Sequence, residues 1–76
     1  MEPELNNYLK RLGKNISMIR NKKKMSQYKL AQEILTDQSN LARIEQGEVN
    51  TTIKTLLKIS VALECDVKDL VSFRKE

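Results

Sequence analysis

Two short helices joined by a very short connection constrain the fold of this chain more than any other feature. Ser26 and Asp37 each precede a short amphipathic pattern, and both residue types cap the free N–H groups of a first helical turn. The first pattern runs from Gln27 to Ile34, and the second sets Leu41 and Ile44 one turn apart. Short helices joined so tightly cannot lie antiparallel with long contact, so we expect them to cross at a steep angle.

Three further helices are predicted around this pair. The first runs from about Glu4 to Asn21 and follows Pro3, a residue tolerated at helix starts. Gly47 is placed to stop the third helix, and Thr52 and Asp66 are placed to begin the fourth and the fifth. The residues expected to face inward on these helices are Leu5, Leu9, Leu12, Ile16, Ile19, Leu30, Ala31, Ile34, Ile53, Leu56, Leu57, Ser60, Leu63, Val67, Leu70 and Val71. The prediction is a single all-α domain over residues 1–76, a compact five-helix bundle that contains a helix-turn-helix.

Basic residues are concentrated in one part of the chain. The segment from Lys10 to Gln32 contains no acid, whereas most of the acids lie from Glu33 onward. The basic residues of this segment are Lys10, Arg11, Lys14, Arg20, Lys22, Lys23, Lys24 and Lys29. A block of one sign beside a segment of mixed charge, in a chain of net charge +4, indicates a polyanion as partner. The alternative is a solvated, lysine-rich surface.

The composition excludes several classes of function. The chain has no His and one Cys, which excludes most metal sites and any intramolecular disulfide. It also offers no Gly-rich phosphate loop and no nucleophile paired with a base, so we expect no enzyme, no cofactor and no metal. No apolar run of signal-peptide or membrane-spanning length follows the N-terminus, so we expect a cytoplasmic protein without a membrane partner.

The face of the third helix opposite Leu41 and Ile44 offers a mixture of polar groups. This face carries Ser39, Ala42, Arg43 and Gln46, with Gln38 and Asn40 on its flanks. An ordinary solvated surface is one interpretation. The other is base recognition, because the DNA major groove presents acceptors on guanine, a donor and an acceptor on adenine, and a methyl on thymine. A guanidinium such as that of Arg43 pairs with guanine, and an amide pairs with adenine.

The stretch "SQYKLAQEILTDQSNLARIEQGEVNTTIKTLLKISVAL" resembles the Cro and phage-repressor type of helix-turn-helix family, often labelled XRE-like. The resemblance covers about residues 12–70 and implies a lambda-repressor-like DNA-binding domain whose third helix enters the major groove. It implies base-contacting roles for Gln38, Ser39, Asn40 and Arg43, and phosphate-contacting roles for Gln27 and Gln46. It further implies a structural ion pair between Arg20 and Glu45. The basic residues expected to attract phosphate are Lys22, Lys23, Lys24 and Lys29.

Two departures from the family pattern concern the turn and the leader. The family usually has Gly in the turn between the second and third helices, where this chain has Leu35. A non-Gly residue at positive φ costs on the order of 1 kcal/mol, so the turn is either strained or follows another path. The leader, residues 1–8, extends the first helix beyond the usual minimum.

Together these features favour a sequence-specific regulator of transcription that binds double-stranded DNA. The sequence leaves open a phage-type repressor, a controller of a restriction-modification operon, and an antitoxin that regulates its own gene and also binds a toxin. The alternative from another class is a protein-interaction module that has kept the fold and lost DNA binding.

A homodimer on a roughly palindromic site is expected, because one helix-turn-helix reads only a few base pairs. Val71 and Phe73, which the periodicity of the fifth helix does not clearly bury, are predicted at the dimer interface. The alternative is that Phe73 closes the core against the first helix.

Overall fold

The computed structural model describes residues 3–72 and contains five helices in that part of the chain. They are α1 (Pro3–Lys22), α2 (Gln27–Glu33), α3 (Gln38–Glu45), α4 (Ile53–Leu63) and α5 (Val67–Leu70). The predicted all-helical fold with a helix-turn-helix is confirmed. No helix among these residues combines the length and the apolar character needed to cross a bilayer.

Side-chain caps begin the three helices α2, α3 and α4. Ser26, Asp37 and Thr52 each have extended backbone and accept a hydrogen bond from the N–H three residues further along the chain. Asp66 begins α5 with a capping box, in which the Asp69 carboxylate accepts a hydrogen bond from the Asp66 N–H at 3.1 Å. The four predicted helix starts are therefore confirmed, and they fix where the chain turns.

One apolar cluster holds the helices together. α1 is the central element, since it packs against α3, α4 and α5, while α2 packs against α3 and α4. The buried members of the cluster are Leu12, Ile16, Leu30, Ala31, Ile34, Leu41, Ile44, Leu56, Ile59, Leu63 and Leu70. The core thus takes residues from every helix, and α3 contributes only Leu41 and Ile44 to it.

Three parts of the predicted core are wrong. The first is Leu5, near the start of α1, which is predicted to face inward and is 39% exposed. Ile53 and Leu57 are 67% and 52% exposed, and Ile59 is fully buried in their place. α4 is apolar around more than half of its circumference, so its pattern fits two faces, and tertiary packing selects the face that contains Ile59. Val71, predicted to face inward, is 37% exposed, because α5 ends at Leu70 and Val71 has left the helical backbone conformation.

The turn between α2 and α3 keeps the left-handed conformation that usually calls for glycine. Leu35 has φ 59°, and the Thr36 N–H donates to the Ala31 carbonyl at 2.9 Å, which closes the end of α2. Leu35 is 86% exposed, so the packing of its side chain offsets little of the strain in its backbone. Of the two possibilities left by the sequence, the structure has the strained turn and not another path.

Replacing Leu35 with glycine is expected to stabilise the protein. Leu35→Gly removes a left-handed penalty of roughly 1–2 kcal/mol and adds the greater chain entropy of unfolded glycine, so we expect a net gain of roughly 0.5–1 kcal/mol. Urea unfolding measures the gain. Leu35→Ala is the matched control, because it deletes the same exposed side chain but keeps Cβ and the penalty. An equal gain for both substitutions would assign the effect to the removed side chain and not to the backbone.

Two glycines allow the C-terminal end of α3 to lie directly on α1. A Cβ on Gly13, in the middle of α1, would lie 2.6 Å from the Ile44 carbonyl oxygen and closer still to that of Glu45. Gly47 ends α3 with φ 75°, and a Cβ there would lie 2.6 Å from the Lys10 Cα. The position and tilt of α3 are therefore set by contact between two backbones.

Candidate functional site

α3 presents a polar face to solvent because its two large apolar side chains are used in the core. Leu41 and Ile44 point inward, while Gln38, Ser39 and Arg43 are exposed. Ala42 is half-buried and its side chain is only a methyl group, so no bulky side chain stands between the polar residues on this face. Gln46, the C-cap residue of α3, is exposed at the other end of the helix.

The first turn of α3 uses several of its polar groups internally. The Asp37 carboxylate accepts a hydrogen bond from the Asn40 N–H at 2.7 Å and another from the Ser39 hydroxyl at 2.9 Å. The Asn40 side-chain amide donates to the Thr36 hydroxyl oxygen at 2.8 Å, and this side chain is half-buried. Ser39 and Asn40, both predicted to contact bases, are thus turned toward the start of the helix. Contact with DNA through them would require these hydrogen bonds to be shared or exchanged.

Arg43 differs from these residues because its guanidinium is unoccupied. No hydrogen bond or ion pair engages it within residues 3–72. It lies one turn beyond Ser39 on the same exposed face of α3. A free guanidinium with five N–H donors in a planar fork is the group best suited to a bidentate contact with an acceptor pair.

A chain of hydrogen bonds links the N-terminal residue of α3 to a buried ion pair. The Arg20 Nε donates to Glu45 Oε2 at 2.8 Å, and its Nη2 donates to Oε1 at 3.1 Å, with side chains only 11% and 7% exposed. Gln27 Nε2 donates to the same Oε1 at 3.1 Å, and its Oε1 accepts from Gln38 Nε2 at 3.3 Å. The Gln38 amide is therefore hydrogen-bonded to Gln27 of α2, and the Gln27 amide is in turn held by the ion pair between α1 and α3.

The role of Gln27 in this chain is more specific than the sequence predicts. Both functional atoms of its amide have protein partners, whereas the family resemblance implies a phosphate-contacting role. The sequence did contain one signal for the arrangement. Gln27 and Gln38 each directly follow a cap residue, Ser26 and Asp37, and so each begins a helix at the same relative position.

The predicted phosphate-attracting lysines lie on the surface near the ends of α1 and α2. Lys22, Lys23 and Lys24 are exposed where α1 ends, and Lys29 is exposed on α2. Lys23 and Lys29 approach Glu64 and Glu33 at 4.0 and 3.6 Å. Such exposed pairs are worth at most about 1 kcal/mol, so these lysines stay available to a stronger anion.

The loop after α1 is held to the buried ion pair by its backbone. Arg20 Nη1 donates to the Met25 carbonyl oxygen at 2.9 Å, and the Met25 N–H donates to the Arg20 carbonyl at 3.1 Å. The positions of the lysines in this loop therefore depend on the same residue that orients Glu45.

The pKa of Asp37 is held below its ordinary value, chiefly because its carboxylate accepts the Asn40 N–H and also because it accepts the Ser39 hydroxyl. A lowered pKa in the folded state means that this carboxylate stabilises the fold fully above about pH 4, the ordinary value, and loses that effect as the pH falls further. We therefore expect the stability advantage of the wild type over Asp37→Asn to shrink as the pH falls below about 4.

Urea unfolding of the wild type and of Asp37→Asn at several pH values measures this advantage. Asn is a good cap without a charge, so the comparison isolates the titration of the carboxylate from the loss of a cap. An advantage that stays constant over this pH range would contradict the expected coupling between the cap and the pH.

The predicted dimer residues are only partly within the described chain. Val71 is exposed immediately after α5, and Phe73 lies outside the described residues.

The arrangement defines a helix-turn-helix domain with an outward-facing recognition helix. α2 and α3 are short, capped and packed together, and α3 presents the guanidinium of Arg43 and the amide of Gln38 on its exposed face. The profile of the Cro/C1-type helix-turn-helix DNA-binding domain matches residues 15–76. The chain belongs to this family, and no protein with a curated description matches it.

Solved structures of two regulators have a similar fold. The restriction-modification controller protein C.AhdI from Aeromonas hydrophila is 29% identical and superposes with a TM-score of 0.79 over 82% of this chain and 94% of that chain. The clp gene regulator ClgR from Corynebacterium glutamicum is 24% identical, with a TM-score of 0.83 over 95% of this chain and 73% of its own. A second ClgR structure is 22% identical, with a TM-score of 0.83 over 99% of this chain and 100% of that chain.

Proposed function

We propose that this DNA-binding domain is a sequence-specific regulator of transcription that reads the major groove with α3. The observation that carries the proposal is the division of α3 into an inward face, Leu41 and Ile44, and an outward face with a free Arg43 and an oriented Gln38. The similarity to a protein described as a restriction-modification controller supports a role in regulation.

The two outward groups match different bases. The guanidinium of Arg43 suits the N7 and O6 acceptors of guanine, and the amide of Gln38 suits the N7 acceptor and N6 donor of adenine. Gln38 uses one N–H for Gln27, which leaves its carbonyl oxygen and its second N–H for such a contact. Because the hydrogen bond to Gln27 restricts the rotation of the Gln38 side chain before binding, less side-chain entropy is lost when it binds.

Contacts with phosphate would supply most of the affinity and its dependence on salt. The groups proposed for this role are Gln27, Gln46, Lys22, Lys23, Lys24 and Lys29. Each phosphate that a lysine neutralises contributes a slope of about −0.9 to the plot of log affinity against log salt concentration. Base contacts then select the site among the many that electrostatics alone would bind.

Arg43 is expected to control base preference. Arg43→Ala should weaken binding to the preferred duplex by roughly 1–3 kcal/mol and relax the preference at one base pair, with little effect on random DNA. Fluorescence anisotropy with both duplexes measures the two affinities. Lys22→Ala is the control, since removing an exposed lysine that binds phosphate weakens the affinity for both duplexes alike. An equal reduction on both duplexes for Arg43→Ala would remove Arg43 from base recognition.

Selection of bound duplexes from a random DNA pool tests the proposed function as a whole. We expect enrichment of a roughly palindromic sequence, because the protein should bind as a homodimer. In the cell we expect this binding to take place in the cytoplasm, where the gene that the protein controls is accessible. Recovery of no preferred sequence would contradict a sequence-specific role and would favour a protein-interaction module on the same fold.

The similarity to a solved controller protein bears on which kind of regulator this protein is. Among the possibilities left open by the sequence, the 29% identity to C.AhdI favours a controller over a phage-type repressor or an antitoxin. An antitoxin would in addition bind a toxin, so a small toxin gene beside this one would point to that alternative.

A further inference from the structure

Three basic residues of α1 have no part in the site described so far. Lys10, Arg11 and Lys14 belong to the segment without acids, and all three are exposed. No hydrogen bond or ion pair engages their charged groups within residues 3–72. These charges are therefore open to an anion from outside the chain, and the side of α1 on which each residue lies decides which anion it can reach.

The two lysines lie on the side of α1 that meets the end of α3. Gly47, the residue that ends α3, is so close to α1 that an added Cβ would lie 2.6 Å from the Lys10 Cα. Lys14 follows Lys10 by four residues and so lies on the same face of α1, one turn further along. Both ammonium groups are thus carried beside the C-terminal end of the recognition helix.

Arg11 lies on a different side of α1. It precedes Asn15 by four residues, so these two side chains share a face of the helix. The Asn15 amide donates to the Leu70 carbonyl oxygen at 2.8 Å, at the end of α5. Arg11 therefore lies on the side of α1 that faces α5, and Lys10 and Lys14 are the pair beside α3.

The end of α3 lies between two groups of lysines that are spaced along α1. Its last residues contact α1 between Lys10, which lies against Gly47, and Arg20, which forms the buried ion pair. Lys10 and Lys14 occupy one end of this stretch, and the lysines at positions 22–24 follow its other end. From Lys14 to Lys22 the helix rises about 12 Å at roughly 1.5 Å per residue, which is close to the width of about 12 Å of the major groove.

We infer that Lys10 and Lys14 form a second phosphate-binding site, on the wall of the major groove opposite the wall contacted by the lysines at positions 22–24. This inference rests on the proposed function, in which α3 lies in the groove. The exposed carboxylate of Glu48, which follows Gly47, forms no ion pair with either lysine. α1 thus holds the DNA backbone on both sides of α3, and the base contacts of α3 are made between two anchored strands.

The salt dependence of binding to a random-sequence duplex tests the site without knowledge of the preferred sequence. Fluorescence anisotropy at several salt concentrations gives the slope of log affinity against log salt concentration. For Lys10→Ala combined with Lys14→Ala, the slope should become less negative by about 1.8, because each lysine that leaves a phosphate removes about 0.9. Lys10→Arg combined with Lys14→Arg keeps the charges and should keep the wild-type slope.

Lys58→Ala combined with Lys68→Ala is the matched control. These lysines are also exposed, but they lie on α4 and α5, away from the recognition face. The control pair lowers the net charge by the same amount, and its slope should stay near that of the wild type. Alanine is a good helix former, so circular dichroism should show all variants folded.

Ethylation of single phosphates in the selected duplex locates the contacts on the DNA. For the wild type, ethylation should interfere with binding on both walls of the groove. For the alanine pair at Lys10 and Lys14, the interference should disappear on one wall and persist on the other. Loss on both walls, or on neither, would contradict a separate site on one wall.

Two results on the random duplex would overturn the inference. Equal slopes for the two alanine pairs would show that only the net charge matters. An unchanged slope for Lys10 and Lys14, together with a lower stability in urea, would show that these lysines serve only the C-terminal end of α3, where cations stabilise a helix.

The failure of this site and the failure of the proposed function give different results. A less negative slope on random DNA, with no preferred sequence recovered by selection, would overturn the function and leave the site in place. A preferred duplex that the Lys10 and Lys14 variant binds with the wild-type slope would do the reverse.

Discussion

Gly13→Ala is expected to be among the most damaging single substitutions in this protein. In the middle of a helix, alanine normally stabilises by about 1 kcal/mol relative to glycine. Here the added methyl would meet the carbonyl oxygens of Ile44 and Glu45, which belong to backbone and cannot rotate away. α3 would have to move off α1, and we expect a loss of roughly 3 kcal/mol or more, at the upper end of overpacking effects.

Thermal unfolding measures this effect, and it should be large in a chain of this size. A change of about 1 kcal/mol shifts the melting temperature of a small domain by about 4–8 °C, so a fall of more than about 12 °C is expected. Lys14→Ala is the control, because Lys14 is the next residue of α1 and is exposed. A melting temperature for Gly13→Ala at or above that of the wild type would show that the helices can separate without cost.

Glu45→Ala is expected to destabilise the fold by about 3–5 kcal/mol. The substitution leaves the guanidinium of Arg20 largely buried without its carboxylate, and it removes the acceptor of the Gln27 amide. Glu48→Ala is the matched control, since Glu48 is exposed and its side chain forms no hydrogen bond among the described residues. Urea unfolding should separate the two variants clearly.

A double substitution tests whether the loss belongs to the pair. If Arg20 and Glu45 stabilise each other, Arg20→Ala combined with Glu45→Ala should cost less than the sum of the two single substitutions. Strict additivity, or similar small losses for Glu45→Ala and Glu48→Ala, would mean that the ion pair contributes nothing to the fold.

Local signals predicted the helices of this protein well. A cap residue, a helical apolar period and a stop residue all act within one or two turns, so Ser26, Asp37, Thr52 and Gly47 could be placed from the sequence. The backbone conformation of Leu35 is also set by its local neighbours in the chain. Its left-handed backbone follows from the closure of α2, although leucine has no preference for that conformation.

Features that depend on distant neighbours were predicted less well. α4 has apolar residues on two faces, and only the positions of α1, α2 and α5 decide that Ile59 is buried and that Leu57 is not. The link between Gln27 and Gln38 depends on the crossing of α2 and α3, which sequence spacing does not define. For the same reason the sequence does not predict the internal hydrogen bonds of α3, such as the one from Asn40 to Thr36.

The inward and outward residues of α3 have a consequence for how such a protein can diversify. Arg43 is exposed and makes no contribution to the core, so we expect its replacement to cost the fold little, and under the proposed function it would change the target preference. Gln38 is different, because its amide belongs to a chain that ends at Glu45, on which the fold depends. Under the proposed function, a substitution at Arg43 would change a base contact alone, whereas a substitution at Gln38 would also remove a hydrogen-bond partner of Gln27.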